Sequence, residues 1–170
     1  MTTSTATVDS SRDFDFLMGH WHIENRRLVQ RLQGSHEWET FEATGYACPL
    51  PGGIGNYDEF VPSGWRPGYV GMSLRVFNPE TKLWSIYWLN NQTGGLDSKT
   101  GMLLPPVIGK FKDGIGSFEG TDELHGKPIL VRFIWSDISS NHARWEQMFS
   151  PDNGNTWETN WIMLFTRTAD

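Results

Sequence analysis

Leu83-Trp84-Ser85-Ile86-Tyr87-Trp88-Leu89 is apolar at odd and even positions alike, and Trp157 through Phe165 repeats the pattern near the end of the chain. A strand with one face in water alternates apolar and polar residues, because successive side chains point to opposite faces. These two runs leave no clean polar face. Across the rest of the chain, no window of ordinary helix length carries a 3.6-residue apolar period. Short aromatic and β-branched runs recur instead, with turn residues between them. The pattern predicts an antiparallel all-β fold, and the doubly apolar runs predict that its sheet closes on itself, which also removes its edges.

Working outward, the chain divides into about ten strands, at 20–31, 36–47, 56–61, 69–77, 83–90, 102–111, 115–122, 128–136, 142–149 and 157–167. Most connections are short: Asn78-Pro79-Glu80-Thr81-Lys82 reads as a type I turn, His125-Gly126-Lys127 as a tight hairpin, and Asn153-Gly154 suits a primed turn. Sequential strands are therefore expected to be neighbours in an up-and-down barrel. The Gly/Pro-rich segments 48–55, 62–68 and 91–101 are long enough to form a mouth or lid. Residues 1–12 read as an N-terminal arm, with the barrel domain at 13–170 and a helical turn over Asp13 to Gly19 plugging one end. A closed barrel of more than about eight strands leaves a lumen that side chains do not fill.

With 170 residues, the chain has the length of one domain. Its 9 Trp, 10 Phe and 4 Tyr concentrate the apolar surface in large rings. The net charge of −6 comes without any basic stripe, which argues against nucleic acid. No stretch has the length of an apolar membrane span and no signal-peptide core is evident, so a cytoplasmic location and no membrane partner are expected. Cys48 is the single cysteine, so an intramolecular disulfide and a thiolate cage for a metal are both excluded. Outward aromatic residues leave room for a homodimer patch.

At Phe16-Leu17-Met18-Gly19-His20-Trp21 the chain resembles the calycin signature shared by lipocalins, fatty-acid-binding proteins and nitrobindin-like proteins. The resemblance implies that Trp21 closes one end of the barrel and that an arginine from the last strand, here Arg167, covers its ring. Segments such as Arg75-Val76-Phe77-Asn78-Pro79, Arg132-Phe133-Ile134-Trp135-Ser136 and Arg144-Trp145-Glu146-Gln147 resemble uncharacterised bacterial lipocalin-like families, which implies the fold and transfers no activity. The haem of nitrobindin-like relatives would need a histidine from the late strands. None follows His142, so no cofactor is expected.

The candidate site follows from strand parity. With Trp21 inward, Ile23, Asn25 and Arg27 share the lumen, and His20 and His22 face solvent rather than a metal. Arg27 inside requires a partner, an anionic ligand, or a place at the rim. Arg132 and Glu146, among Phe133, Trp135 and Trp145, are candidates to orient a polar ligand group, or else form a structural cross-strand pair. Of the adjacent Asp58 and Glu59 only one can enter the lumen, and Asp58 is the choice. Trp88, Trp145 and Trp161 are expected to line it. Gly52-Gly53-Ile54-Gly55 lacks the strand–turn–helix context of a phosphate loop. The expected function is binding of a small, largely apolar or aromatic molecule in the lumen, with any acidic group met by Arg27 or Arg132. The alternative is a cofactor-independent isomerase, cyclase or hydrolase using Asp58 or Glu146 as general base.

Overall fold

The computed structural model describes residues 9–169. The expected arm at 1–8 lies outside them. Ten antiparallel strands form the fold: β1 (Gly19–Leu28), β2 (Trp38–Pro49), β3 (Gly55–Ser63), β4 (Gly71–Asn78), β5 (Leu83–Asn90), β6 (Val107–Lys112), β7 (Ile115–Leu124), β8 (Lys127–Ser136), β9 (His142–Ser150) and β10 (Glu158–Arg167). Each pairs with its sequence neighbours, and β1 pairs with β10 from Trp21 opposite Arg167 to Arg27 opposite Trp161, closing the barrel. Each described strand is paired on both sides along at least part of its length, which is the closure expected from the doubly apolar runs. Among the described residues no helix is long and apolar enough to cross a membrane.

The turns behave as their residues dictate. His125 and Gly126 both adopt positive φ, as do Asn153 and Gly154, the conformation that primed turns require. Three expectations shift, each for a visible reason. The sixth strand, expected from 102, begins only at Val107, because Pro105 and Pro106 have no N–H to give to a ladder. The first strand stops at Leu28 rather than 31; beyond it Leu32 takes φ 56° and donates its N–H to the Glu158 carboxylate at 2.9 Å. The segment 48–55 is not a mouth loop. β2 runs to Pro49, only a 3-10 turn at Pro51–Gly53 precedes β3, and this corner lies at the same end as Gly19 and Arg167.

That end is plugged. Two 3-10 turns, Ser10–Arg12 and Asp15–Leu17, bring Phe14 and Leu17 into the barrel, each 1% exposed. Phe14 sits edge-on to Trp84 and Phe111, both at 5.0 Å between ring centroids, a favoured aromatic geometry. The Trp84 indole N–H donates to the Ser10 carbonyl at 3.0 Å, so residues just before Asp13 already pack on the barrel. Trp21 is 2% exposed and its indole N–H donates to the Leu17 carbonyl at 2.7 Å. Arg167 lies over the Trp21 ring at 4.2 Å, within cation–π range. Its guanidinium donates to the carbonyls of Phe16, Met18 and Ser140, each at 2.6 Å. Gly19 makes this possible. Its φ is 101°, and a Cβ there would come within 3.0 Å of the Arg167 guanidinium.

Candidate functional site

Above the plug the barrel holds a cavity of about 460 Å³. Its walls come from the inward parity of nearly every strand: Trp21 and Ile23 from β1, Phe60 from β3, Ile86 and Trp88 from β5, Val131 and Phe133 from β8, Trp145 from β9, and Trp161, Met163 and Phe165 from β10. Small residues leave the space empty on the other side, where the inward positions of β2 at the cavity are Gly45 and Ala47. The rings interlock edge to face, with Trp161 at 6.0 Å from both Phe60 and Trp145. Such mutual packing holds the walls in fixed rotamers and keeps them from collapsing into the void.

Two polar features interrupt this wall: Gln147 of β9, whose side-chain N–H donates to the Asn160 side-chain oxygen at 2.8 Å, and a cluster on β3 and β4. Asn56 and Asp58 on β3 stand directly opposite Arg75 and Ser73 on β4, and all four side chains point inward. The Arg75 guanidinium, 3% exposed, donates to the Asn56 side-chain oxygen at 3.1 Å and to the Asp58 carboxylate. Asp58 also accepts the Ser73 backbone N–H at 3.0 Å. The Arg75 guanidinium rests 5.1 Å from the Phe14 ring, so the plug forms the floor beneath the ion pair. A buried guanidinium without a counter-ion would be costly, and Asp58 supplies that counter-ion across the strand.

The far end carries a lid on one side only. Trp65, from the 64–70 connection, stacks parallel on Phe41 at 4.5 Å. Beneath it Arg27 lies between Trp65 and Trp161, at 5.4 and 5.1 Å from their rings, and donates to Glu39 at 3.0 Å. Burial pushes the Arg27 pKa below its ordinary value, while the bond to Glu39 opposes that shift. On the other side the barrel wall is incomplete. β5 and β6 share only the pairs Trp84–Gly109, Ser85–Ile108 and Ile86–Val107, so upper β5 lacks a partner on that side. The 91–106 segment crosses this gap, held by the Leu96–Leu103 bridge, and Leu104 and Pro105 reach the cavity beside Thr121, Asp122, Glu123 and Pro128.

Of the residues singled out in the sequence, Asp58, Trp88, Trp145 and Trp161 come together on this cavity. Asn25 and Arg27 share the inward parity but lie off it: Asn25 accepts the Trp161 indole N–H at 3.0 Å, and Arg27 is committed to Glu39 under Trp65. Arg132 and Glu146 do not reach the lumen. They occupy the parity opposite to Val131 and Trp145, where Arg132 pairs with Glu119 at 2.8 Å and lies 3.8 Å from the Trp157 ring, and Glu146 pairs with Arg144 at 3.0 Å. An acid group held by Arg27 or Arg132 is therefore not what this geometry provides. His20 faces outward and packs against the Tyr46 ring, tilted, at 4.5 Å between centroids. Among the described residues no three His, Cys, Asp or Glu side chains come together as a metal-binding group.

Sequence reasoning missed Arg75, Ser73 and Asn56. In β4 the apolar residues Met72, Leu74 and Val76 alternate with Ser73 and Arg75, and they are the ones that face outward. The available signal was pairing: once Asp58 is placed inward, the β3–β4 register puts Ser73 and Arg75 inward with it. Comparison of the sequence with protein-family models and with curated proteins finds no match.

Proposed function

We propose that this protein binds a small, largely apolar or aromatic molecule inside its barrel, and that it is a calycin-type, lipocalin-like module. The cavity carries the reading. Its volume of about 460 Å³ falls within the roughly 300–1,000 Å³ of small-molecule sites, and its walls are largely aromatic with a convergent polar cluster on β3 and β4. The calycin reading is supported by Trp21 under Arg167 at the plugged end, with a positive-φ glycine between Met18 and His20.

A neutral fluorophore, N-phenyl-1-naphthylamine, tests the function. Binding is expected to be one to one, with blue-shifted probe emission and quenching of tryptophan, since Trp88, Trp145 and Trp161 all border the site. Filling the empty side with Ala47→Phe should abolish binding while the fold persists. Absence of binding by the wild type, together with native mass spectra free of any co-purifying molecule, would refute the reading. A second reading, a cofactor-independent isomerase, cyclase or hydrolase, is favoured by one observation: the Asp58 carboxylate borders a largely aromatic cavity. It requires that a captured molecule be converted by the wild type and not by Asp58→Asn.

A further inference from the structure

Building on the lumen reading, we propose that the cavity selects an uncharged ligand whose polar end is a hydroxyl, and that it discriminates against carboxylates. The charge of the polar cluster is already balanced. Among the described residues Arg75 is the single cation on the cavity wall, and its guanidinium is matched by Asp58. Of the carboxylates that border the cavity and its mouth, Asp58 and Asp122 lie on the inward parity of their strands and Glu59 and Glu123 on the outward one, so among the described residues one cation stands against two inward anions. An anionic ligand would have to displace Asp58 from Arg75 in a medium of low dielectric, or lie unpaired beside it, and both are costly.

Exposure points the same way. Within the ion pair the Arg75 side chain is 3% exposed and that of Asp58 is 16% exposed, and Asp58 points into the lumen. The accessible member is the acceptor. Each Asp58 oxygen has accepted one hydrogen bond, from Ser73 N–H or from Arg75, and an ionised carboxylate has about four lone-pair sites. Room remains for a donor. The Arg75 Nε has no partner and no solvent contact, so it is sealed off rather than presented to a ligand. The Ser73 hydroxyl makes no hydrogen bond among the described residues and borders the same cavity, available to donate. A hydroxyl, which both donates and accepts, matches Asp58 and Ser73 together; a carboxylate matches neither the charge nor the donor count.

Three probes of one shape separate the possibilities at pH 7: 2-naphthalenemethanol, 2-naphthoate and 2-methylnaphthalene, each followed by tryptophan quenching. The alcohol should bind about three- to tenfold more tightly than the hydrocarbon, the gain of one to two modest hydrogen bonds, and at least about tenfold more tightly than the acid. In Asp58→Asn the guanidinium loses its counter-ion, so naphthoate should gain at least about tenfold and the order should invert. The wild-type series decides the matter even if that variant does not fold. Naphthoate binding as tightly as the alcohol overturns the proposal, and so does equal binding of all three, which leaves the lumen reading intact. Binding by none of them overturns both.

Discussion

Replacing Arg167 tests whether the plugged end is held by one side chain. The guanidinium makes three hydrogen bonds at 2.6 Å, to Phe16, Met18 and Ser140, and covers Trp21 at 4.2 Å. Hydrogen bonds to a charged group contribute about 1.5–3 kcal/mol when buried. The bond to Ser140 is exposed and counts for little, and the two part-buried ones are discounted to about 1 kcal/mol each for solvent screening. The cation–π contact adds about 0.5–1 kcal/mol. Arg167→Met should therefore cost about 3 kcal/mol, a fall in Tm of about 6–12 °C for a domain of this size. Arg167→Lys keeps the charge but replaces three separated guanidinium nitrogens with one ammonium, and should lose about half as much. Urea denaturation followed by tryptophan emission gives the global number. Hydrogen exchange at the Leu17 amide, bonded to the Phe14 carbonyl at 3.0 Å, reads the plug locally. A change under about 0.5 kcal/mol for Arg167→Met, with Leu17 exchange unchanged, would refute the argument that Arg167 ties the plug to the barrel.

Gly109→Ala should destabilise by about 2–4 kcal/mol in urea titration, because a Cβ there would meet the Ser117 carbonyl oxygen at 1.9 Å and only backbone movement relieves it; a change under about 1 kcal/mol would contradict that close approach. Asp152 accepts from the Thr156 hydroxyl at 2.6 Å and the Thr156 N–H at 2.8 Å, bonds that hold its carboxyl below the usual aspartate value of about 4. A lowered folded value means stabilisation that is present above about pH 4 and lost as pH falls through the lowered value, so Asp152→Asn should trail the wild type in urea midpoint at pH 7 and converge with it by about pH 2. A gap that is unchanged at low pH counts against this. Trp65→Ala uncovers Arg27 and should cost about 1–2 kcal/mol, yet leave the dissociation rate of N-phenyl-1-naphthylamine within about twofold, since the cavity opens on the β5–β8 side. A much faster release in stopped flow would move the mouth to the 64–70 connection.

The fold was legible because closure leaves marks along the whole chain. Apolar residues on both parities of 83–89, an Asn-Gly and a His-Gly at turn positions, and the Gly19-His20-Trp21 step each constrain the backbone locally, and the barrel is the arrangement that satisfies them together. Trp21 also fixed the phase of β1, which is why Asn25 and Arg27 were correctly turned inward. Phase was the weak point elsewhere. In β8 and β9 large rings and charges alternate, and nothing local says that Val131 and Trp145 go in while Arg132 and Glu146 go out. In β4 the alternation actively misleads, because the buried arginine is stabilised by a carboxylate from the neighbouring strand, a cross-strand fact that no single strand carries.

The same logic locates the opening. A closed barrel has no edge, so its lumen is reached through an open end or where pairing fails; here one end is plugged, and pairing fails beside the other. The failure is written in the chain at Pro105-Pro106. Two consecutive residues without N–H groups cannot extend β6 upward past Val107, so β5 keeps three partners on that side and the strand above Ile86 faces the 91–106 segment instead. Gly95 and Gly120 let that segment lie close against β5 and β7: a Cβ on either would meet the Trp88 or Pro106 carbonyl oxygen, at 2.5 and 2.6 Å. Apolar Leu96, Met102, Leu103 and Leu104 remain exposed on the segment, at the one side of the barrel where the wall is chain without ladder. The sequence thus sets aromatic walls, a balanced ion pair at the floor and an unpaired stretch at the mouth in the same barrel. The void between the walls, the buried ion pair and the unpaired stretch are costly or neutral for stability on their own account, and they are mutually consistent if the lumen is built to be entered and filled.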